Sequence, residues 1–212
     1  MQSSSGQFAV YRGTKLHTER MSADPSPYVL PPDLPVPVDD GAADHLPGTA
    51  MPGVSLPSTT GERIDLAAAA AAGTLVLYCY PRTGRPGEPL PPGWDEIPGA
   101  RGCTPQSCAF RDRFSELEAL GARVLGLSAQ PMAEQVEFAG RVGLPYPLLS
   151  DPGLELAEAL GLPSFEVTGM RLYRRLTMIA SRGVIVKAFY PVFPPNRNAG
   201  DVVDWLTREG SP

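Results

Sequence analysis

Proline placement limits what this chain can build more than any other feature. Of its 25 prolines, nine lie between Pro25 and Pro57 and seven between Pro81 and Pro105. Proline fixes φ and has no N–H to give to a helix or a ladder. Both stretches are therefore closed to long regular elements, and the run Pro25-Ser-Pro-Tyr-Val-Leu-Pro-Pro-Asp-Leu-Pro-Val-Pro-Val-Asp-Asp favours extended or polyproline II chain. Yet 42% of the 212 residues are apolar, enough for one domain with a buried core. The expectation is an irregular Pro-rich arm over residues 1–45, in which Met21 could serve as an alternative start, and a single domain over 46–210.

Regular patterning begins near Gly53. Val54–Leu56 and Arg63–Leu66 flank a Ser-Thr-Thr-Gly turn and read as two short strands. Leu66 to Ala72 forms an alanine-rich turn, followed by Leu75-Val-Leu-Tyr-Cys-Tyr80, an apolar run suited to a strand covered on both faces. Pro81 ends it and opens a Gly- and Pro-rich loop reaching Gly102. Phe110, Phe114, Leu117 and Leu120 then recur at helical spacing up to Gly121. Strands at 123–128 and 147–150 alternate with helices at 131–142 and 154–160, the last capped by Asp151. Two strands, 172–180 and 184–190, surround Ser181-Arg-Gly183, and a helix at 199–207 closes the chain. Strands alternating with helices predict an α/β domain with a central mixed sheet flanked by helices.

Several function classes fall away. The net charge is −5 and the arginines are dispersed, so no basic face for nucleic acid is expected. No apolar run approaches the roughly 20 residues of a spanning helix, and no signal-like h-region occurs near the N-terminus. A reducing cytoplasm is the expected compartment, where three cysteines are not a disulfide scaffold. The two histidines, His17 and His45, leave no His-rich metal site or Ser-His hydrolase arrangement. No metal and no cofactor is expected.

The segment Gly102-Cys-Thr-Pro-Gln-Ser-Cys-Ala-Phe-Arg-Asp112 carries the chemistry. Cys103 stands where a helix begins, with Pro105 suited to the first turn. Unpaired N–H groups and the dipole at a helix start favour a thiolate, which is the reactive form. Cys108 lies five residues on. In an ideal helix that spacing separates the Cα atoms by ~8–9 Å, beyond the ~7 Å limit for a disulfide. A bond between the two requires the first turns to unwind. Cys79, inside the apolar strand, reads as a small buried hydrophobe, and Trp94 either lids a pocket or pins its loop by burial.

These motifs resemble the peroxiredoxins of the AhpC/TSA superfamily, and within them the peroxiredoxin Q, or bacterioferritin-comigratory, group. The likeness runs from Leu46 to Arg208 through Val76-Leu-Tyr-Cys-Tyr-Pro81, the Cys103 segment, Val124-Leu-Gly-Leu-Ser128 and Gly143-Leu-Pro-Tyr-Pro-Leu-Leu-Ser-Asp-Pro152. It implies a thioredoxin-like fold and a cofactor-free thiol peroxidase for hydrogen peroxide or organic hydroperoxides. By position Cys103 matches the peroxidatic cysteine, Cys108 the resolving cysteine, and Arg175 the catalytic arginine, with Arg174 as fallback. A thioredoxin-like dithiol would restore both thiols, in a monomer or homodimer.

The chain departs from this family at three places. Ala100 stands three residues before Cys103, where the family has Thr or Ser, so Thr83 or Thr104 would have to supply the peroxide-binding hydroxyl. A loop at about 84–100 looks inserted. Gln106 replaces a Glu common in the group. These departures keep two alternatives open: a thioredoxin-fold disulfide oxidoreductase, against which the lack of Cys-x-x-Cys speaks, and a catalytically impaired redox-sensing or binding module.

Overall fold

The computed structural model describes residues 28–209. The first 27 residues, with His17, Met21 and the start of the expected arm, lie outside the described residues. From Tyr28 to His45 the chain has turns but no helix or strand, and it is laid on the body. The Tyr28 hydroxyl accepts from Arg141 Nη1 at 2.9 Å, and Leu46 is wholly buried at the far end.

A five-stranded mixed sheet in the order β5-β4-β3-β8-β9 forms the centre. β3 (Thr74–Cys79), β4 (Ala122–Ser128) and β5 (Leu148–Ser150) run parallel; β8 (Leu176–Ser181) and β9 (Val184–Phe189) complete the sheet antiparallel. All six residues of β3 are buried, as a strand covered on both faces requires. Its side chains divide by the period of two. Leu75, Leu77 and Cys79 join the core beneath α1 (Leu66–Ala71) and α5 (Glu155–Leu160). Val76 and Tyr78, with Tyr80 just beyond, join the core on the opposite face. There they meet α2 (Cys103–Asp112), α3 (Phe114–Ala119), α4 (Met132–Val142) and α6 (Asn198–Glu209). A fully buried Leu of this kind contributes roughly 1.5–3 kcal/mol, so both faces are firmly held.

The mixed α/β sheet expected from the sequence is present. β1 (Ser55–Pro57) and β2 (Arg63–Asp65) form the expected small hairpin. Asp151 does cap α5: its two carboxylate oxygens accept from the Glu155 and Leu156 amides at 2.9 and 3.0 Å.

Two expectations are corrected. The helix read through Leu120 is two helices, because Arg113 takes φ −107°, ψ 12° and breaks the turn between α2 and α3. The strand read over 172–180 is also two. β7 (Met170–Tyr173) pairs with β6 (Ser164–Val167) in a separate two-stranded sheet, and Leu176 starts β8. Arg174 and Arg175 occupy the step between them, where the Arg175 guanidinium is tied to loop carbonyls described below. Apolar alternation continues across this step, so the pattern concealed it.

Gly126 of β4 pairs with Tyr78 of β3. A Cβ there would lie 2.5 Å from Leu148 Cδ2 and 2.7 Å from the Tyr78 ring. Only a glycine lets that ring lie flat beneath α2. Gly126→Ala should therefore destabilise the fold by about 1–3 kcal/mol, read as a lower denaturant midpoint; an unchanged midpoint would contradict this packing.

Candidate active site

α2 begins at Cys103 because Gly102 takes φ +106°, a conformation glycine reaches without penalty. Space demands the same residue, since a Cβ on Gly102 would lie 2.3 Å from Pro195 Cγ and 2.8 Å from Leu30 Cδ2. The loop before Cys103 is thus pressed between the described arm and the turn preceding α6. Pro37 of the arm packs on Gly99 in the same way, 3.6 Å from where its Cβ would be.

Beneath α2 lies an aromatic platform. The Tyr78 and Phe110 rings stack with centroids 4.5 Å apart. Tyr78 donates to Ser107 Oγ at 3.0 Å, and Tyr146 donates to the Ser107 carbonyl at 2.8 Å. Burial pushes the phenols of Tyr78, Tyr80 and Tyr146 well above their ordinary range, so they stay neutral donors: Tyr78 and Tyr146 anchor α2 without adding charge, and Tyr80 donates to Gln135 of α4.

The structure brings Arg175 and Cys103 together. Arg175 Nη2 lies 3.2 Å from Cys103 Sγ. The other donors of this guanidinium go to backbone carbonyls and one amide: Nε to Gly99 at 3.2 Å, Nη2 to Ala100 and Arg101 at 3.0 and 3.2 Å, and Nη1 to Gln106 Oε1 at 2.5 Å. Arg175 is 3% exposed, and no carboxylate pairs with it among the described residues. Arg174, the fallback, instead lies over the Phe165 ring at 6.0 Å.

Cys103 is itself 3% exposed and opens on a cavity of about 50 Å3, lined among others by Arg82, Leu90, Trp94, Arg101 and Thr104. That is room for a few water-sized molecules. The carbonyl oxygen of Ala100, at the position where a hydroxyl was missing, lies 3.6 Å from Cys103 Sγ.

Thr104 lines this cavity; Thr83 does not. The Thr83 hydroxyl and amide both donate to Gln130 Oε1, at 3.0 and 2.8 Å. Thr83 instead faces a neighbouring cleft of about 450 Å3, between the Pro-rich loop and α4. Of the two threonines named from the sequence, the structure brings Thr104 to the Cys103 cavity, while Thr83 donates to Gln130 beside the neighbouring cleft. Gln130 carried no motif that could have announced this.

Trp94 is buried, 6.2 Å from the Phe165 ring centroid, in a small cluster with Ala100 and Leu172. It pins the loop over the β6–β7 hairpin while forming one wall of the cavity. Arg101 is held nearby by Asp95 at 3.0 Å.

Cys108 is half-buried, and burial raises its thiol above the ordinary range. It sits within the same continuous helix as Cys103, so a bond between them needs α2 to open. Cys79 is sealed in the core, with its thiol pushed far up by the same cause. Among the described residues no group of His, Cys, Asp and Glu could hold a metal ion, and no helix is long and apolar enough to cross a membrane.

These environments predict the order of thiol labelling. A small alkylating reagent should modify Cys103 at neutral pH, reach Cys108 faster as pH rises through its elevated titration range, and spare Cys79 until the protein unfolds. Site-resolved mass spectrometry reads this, and early labelling of Cys79 would contradict the core described here.

Comparison with known proteins agrees with this geometry. The Redoxin family model matches residues 46–203. Chloroplastic peroxiredoxin Q of Triticum aestivum is 30% identical over 156 residues, covering 74% of this chain and 64% of that protein. Peroxiredoxin bcp1 of Schizosaccharomyces pombe is 34% identical over 137 residues, covering 64% of this chain and 63% of its own length. The matches thus span less than two thirds of these curated relatives. Among solved structures, peroxidoxin BcpB of Mycobacterium tuberculosis superposes with TM-score 0.63 at 25% identity, covering 77% of this chain and 98% of that one. Peroxiredoxin Q of Xanthomonas campestris, at 23% identity, shares the fold with TM-score 0.58 over 84% of this chain and 99% of its own. The chain belongs to the Redoxin family, and the relatives and structures it resembles there are named peroxiredoxin Q, peroxiredoxin bcp1 and BcpB.

Proposed function

We propose that the chain is a thiol-dependent peroxidase acting on hydrogen peroxide or a small organic hydroperoxide. One observation carries the reading: a buried guanidinium with no carboxylate partner among the described residues, 3.2 Å from the sulfur of Cys103. A buried cation is costly unless an anion compensates it. The thiolate of Cys103 is the anion within reach, and the start of α2 favours the same charge. The relatives named for peroxiredoxin activity support the same chemistry.

The reaction follows from these groups. The Cys103 thiolate attacks the terminal peroxide oxygen, and an S–O bond forms as the O–O bond breaks. The electron pair leaves on the other oxygen, which takes up a proton and departs as water or alcohol. Sulfur has lost two electrons and stands as a sulfenic acid. Arg175 faces the negative charge as it passes from sulfur to the leaving oxygen, and Thr104, which lines the cavity, would supply the hydroxyl that binds peroxide. After α2 opens, the Cys108 sulfur attacks the sulfenic acid, releasing water and leaving a Cys103–Cys108 disulfide. A thioredoxin-like dithiol then reduces this disulfide by exchange.

The three principal groups come from one chain, which suits a monomer or a homodimer. Recycling by a dithiol suits a reducing compartment, and the cytoplasm is the one proposed. The arm up to residue 45 and the loop at 84–100 are additions to a peroxidase body, the second of them walling the cavity.

Peroxide consumption by the wild type, Cys103→Ser and Cys108→Ser tests the reading. Cys103→Ser should lose at least a thousandfold in rate, of the order expected when a nucleophile is removed. Cys108→Ser should form one equivalent of sulfenic acid, trapped by dimedone, and fail to turn over with a dithiol reductant. Equal activity in all three would contradict the proposal.

A further inference from the structure

The Cys103 cavity and the cleft beside α4 share a wall. Arg82, Gly84, Arg85, Glu88 and Leu90 line both spaces, and of these Leu90 is the one with an apolar side chain. The cavity holds about 50 Å3 and the cleft about 450 Å3. A reactant at Cys103 therefore has little room on its own side of the wall and ample room beyond it.

The wall is anchored at two points. Leu90 folds back over Gly84, where its Cδ2 would lie 3.1 Å from a Cβ, so its methyl rests on the Gly84 backbone. From the other side Leu90 packs on the buried cluster of Trp94, Ala100 and Leu172, together with Phe165 and Met170 of the β6–β7 hairpin. Gly84 is tied to α4 instead. Its carbonyl accepts from Arg141 Nη2 at 3.0 Å, and its neighbours Arg82 and Arg85 pair with Glu134 and Glu137 at 3.4 and 3.5 Å.

The charged members of the wall are easily moved. The side chains of Arg82, Arg85 and Glu88 are partly exposed, and ion pairs in such positions hold weakly. They can turn into water to admit a reactant. Leu90 has no such exit, because leaving the wall means exposing apolar surface now packed against the Trp94 cluster.

We infer that Leu90 is a specificity-determining residue, which limits the size of the hydroperoxide by closing the Cys103 cavity toward the cleft. The inference rests on the peroxidase reading above and narrows it. Hydrogen peroxide carries no substituent and fits a space for a few water-sized molecules. Cumene hydroperoxide presents the same O–O group on a bulky aryl skeleton. With its terminal oxygen at the sulfur, that skeleton meets Leu90 and requires the volume of the cleft. Truncating Leu90 joins the two spaces, and Pro89, Pro91 and Pro92, which line the cleft, then offer the skeleton an apolar wall.

The test compares kcat/KM for cumene hydroperoxide and for hydrogen peroxide, with a dithiol reductant, in full-length wild type, Leu90→Ala and Leu90→Val. Thermal melting checks folding. The wild type should favour hydrogen peroxide. The ratio of the cumene to the hydrogen peroxide value should rise about tenfold in Leu90→Ala, the scale on which an apolar pocket discriminates by size, and by a smaller step in Leu90→Val. If Leu90→Ala fails to fold, Leu90→Val decides alone. A wild type that favours cumene hydroperoxide, or variant ratios at or below that of the wild type, overturn the inference.

A second readout needs no peroxide turnover: labelling of Cys103 by iodoacetamide and by the bulkier N-phenylmaleimide, resolved by site with mass spectrometry. In Leu90→Ala the maleimide should gain on iodoacetamide at Cys103 and not at Cys108. No gain at Cys103, or an equal gain at Cys108, overturns the inference. An inactive wild type whose Leu90 variant shows the gain would sink the peroxidase reading and leave Leu90 as the size limit at this sulfur.

Discussion

A cation enclosed in protein must be answered by an anion or by enough dipoles to replace its water. Arg175 meets that requirement with three loop carbonyls, one side-chain amide and one sulfur. Most of the structure around the site follows from this arrangement. The carbonyls of Gly99, Ala100 and Arg101 must converge on one point, which fixes the end of the Pro-rich loop. Gly102 must then reverse the chain in a left-handed conformation to start α2. Arg175 must leave the sheet ladder to reach them, which separates β7 from β8.

The same constraint gives the proposed cycle its two conformations. While α2 is intact, Cys103 is held beside the guanidinium with the cavity before it, and Cys108 is turned away in the helix. Once sulfur carries an oxygen, the charge that kept it against Arg175 has been spent, and the first turn is free to open toward Cys108. The arm and Pro195 press on that turn from outside through Gly102.

The fold was largely legible because hydrophobic period is a backbone property. β3 announced itself by six consecutive apolar residues, α5 by Asp151 and Gly161, and the order of elements by alternation of the two periods. The break at Arg174 and Arg175 was not legible, because apolar residues alternate on both sides of it and the cause lies in a loop 74 to 76 positions away in sequence. The β6–β7 hairpin turns at Thr168-Gly169, both in positive φ, a weaker signal than Asn-Gly. At the site, Cys103, Cys108, Thr104 and Arg175 were nameable from their neighbours in sequence. Gln130 was not: it is an ordinary polar residue whose bonds to Thr83 come from what folding places beside it. Which of Thr83 and Thr104 lines the cavity was not legible either, because a hydroxyl near the right motif says nothing about the partner that folding sets beside it.

In the proposed resting state the sulfur of Cys103 is the negative partner of Arg175. The direct measurement is the thiolate ultraviolet absorbance at neutral pH, taken as the difference between wild type and Cys103→Ser, and repeated with Arg175→Gln. A full equivalent of thiolate in the wild type that is largely lost in Arg175→Gln is the predicted result. A protonated Cys103 in the wild type at neutral pH, or a thiolate that survives unchanged without the guanidinium, would contradict it.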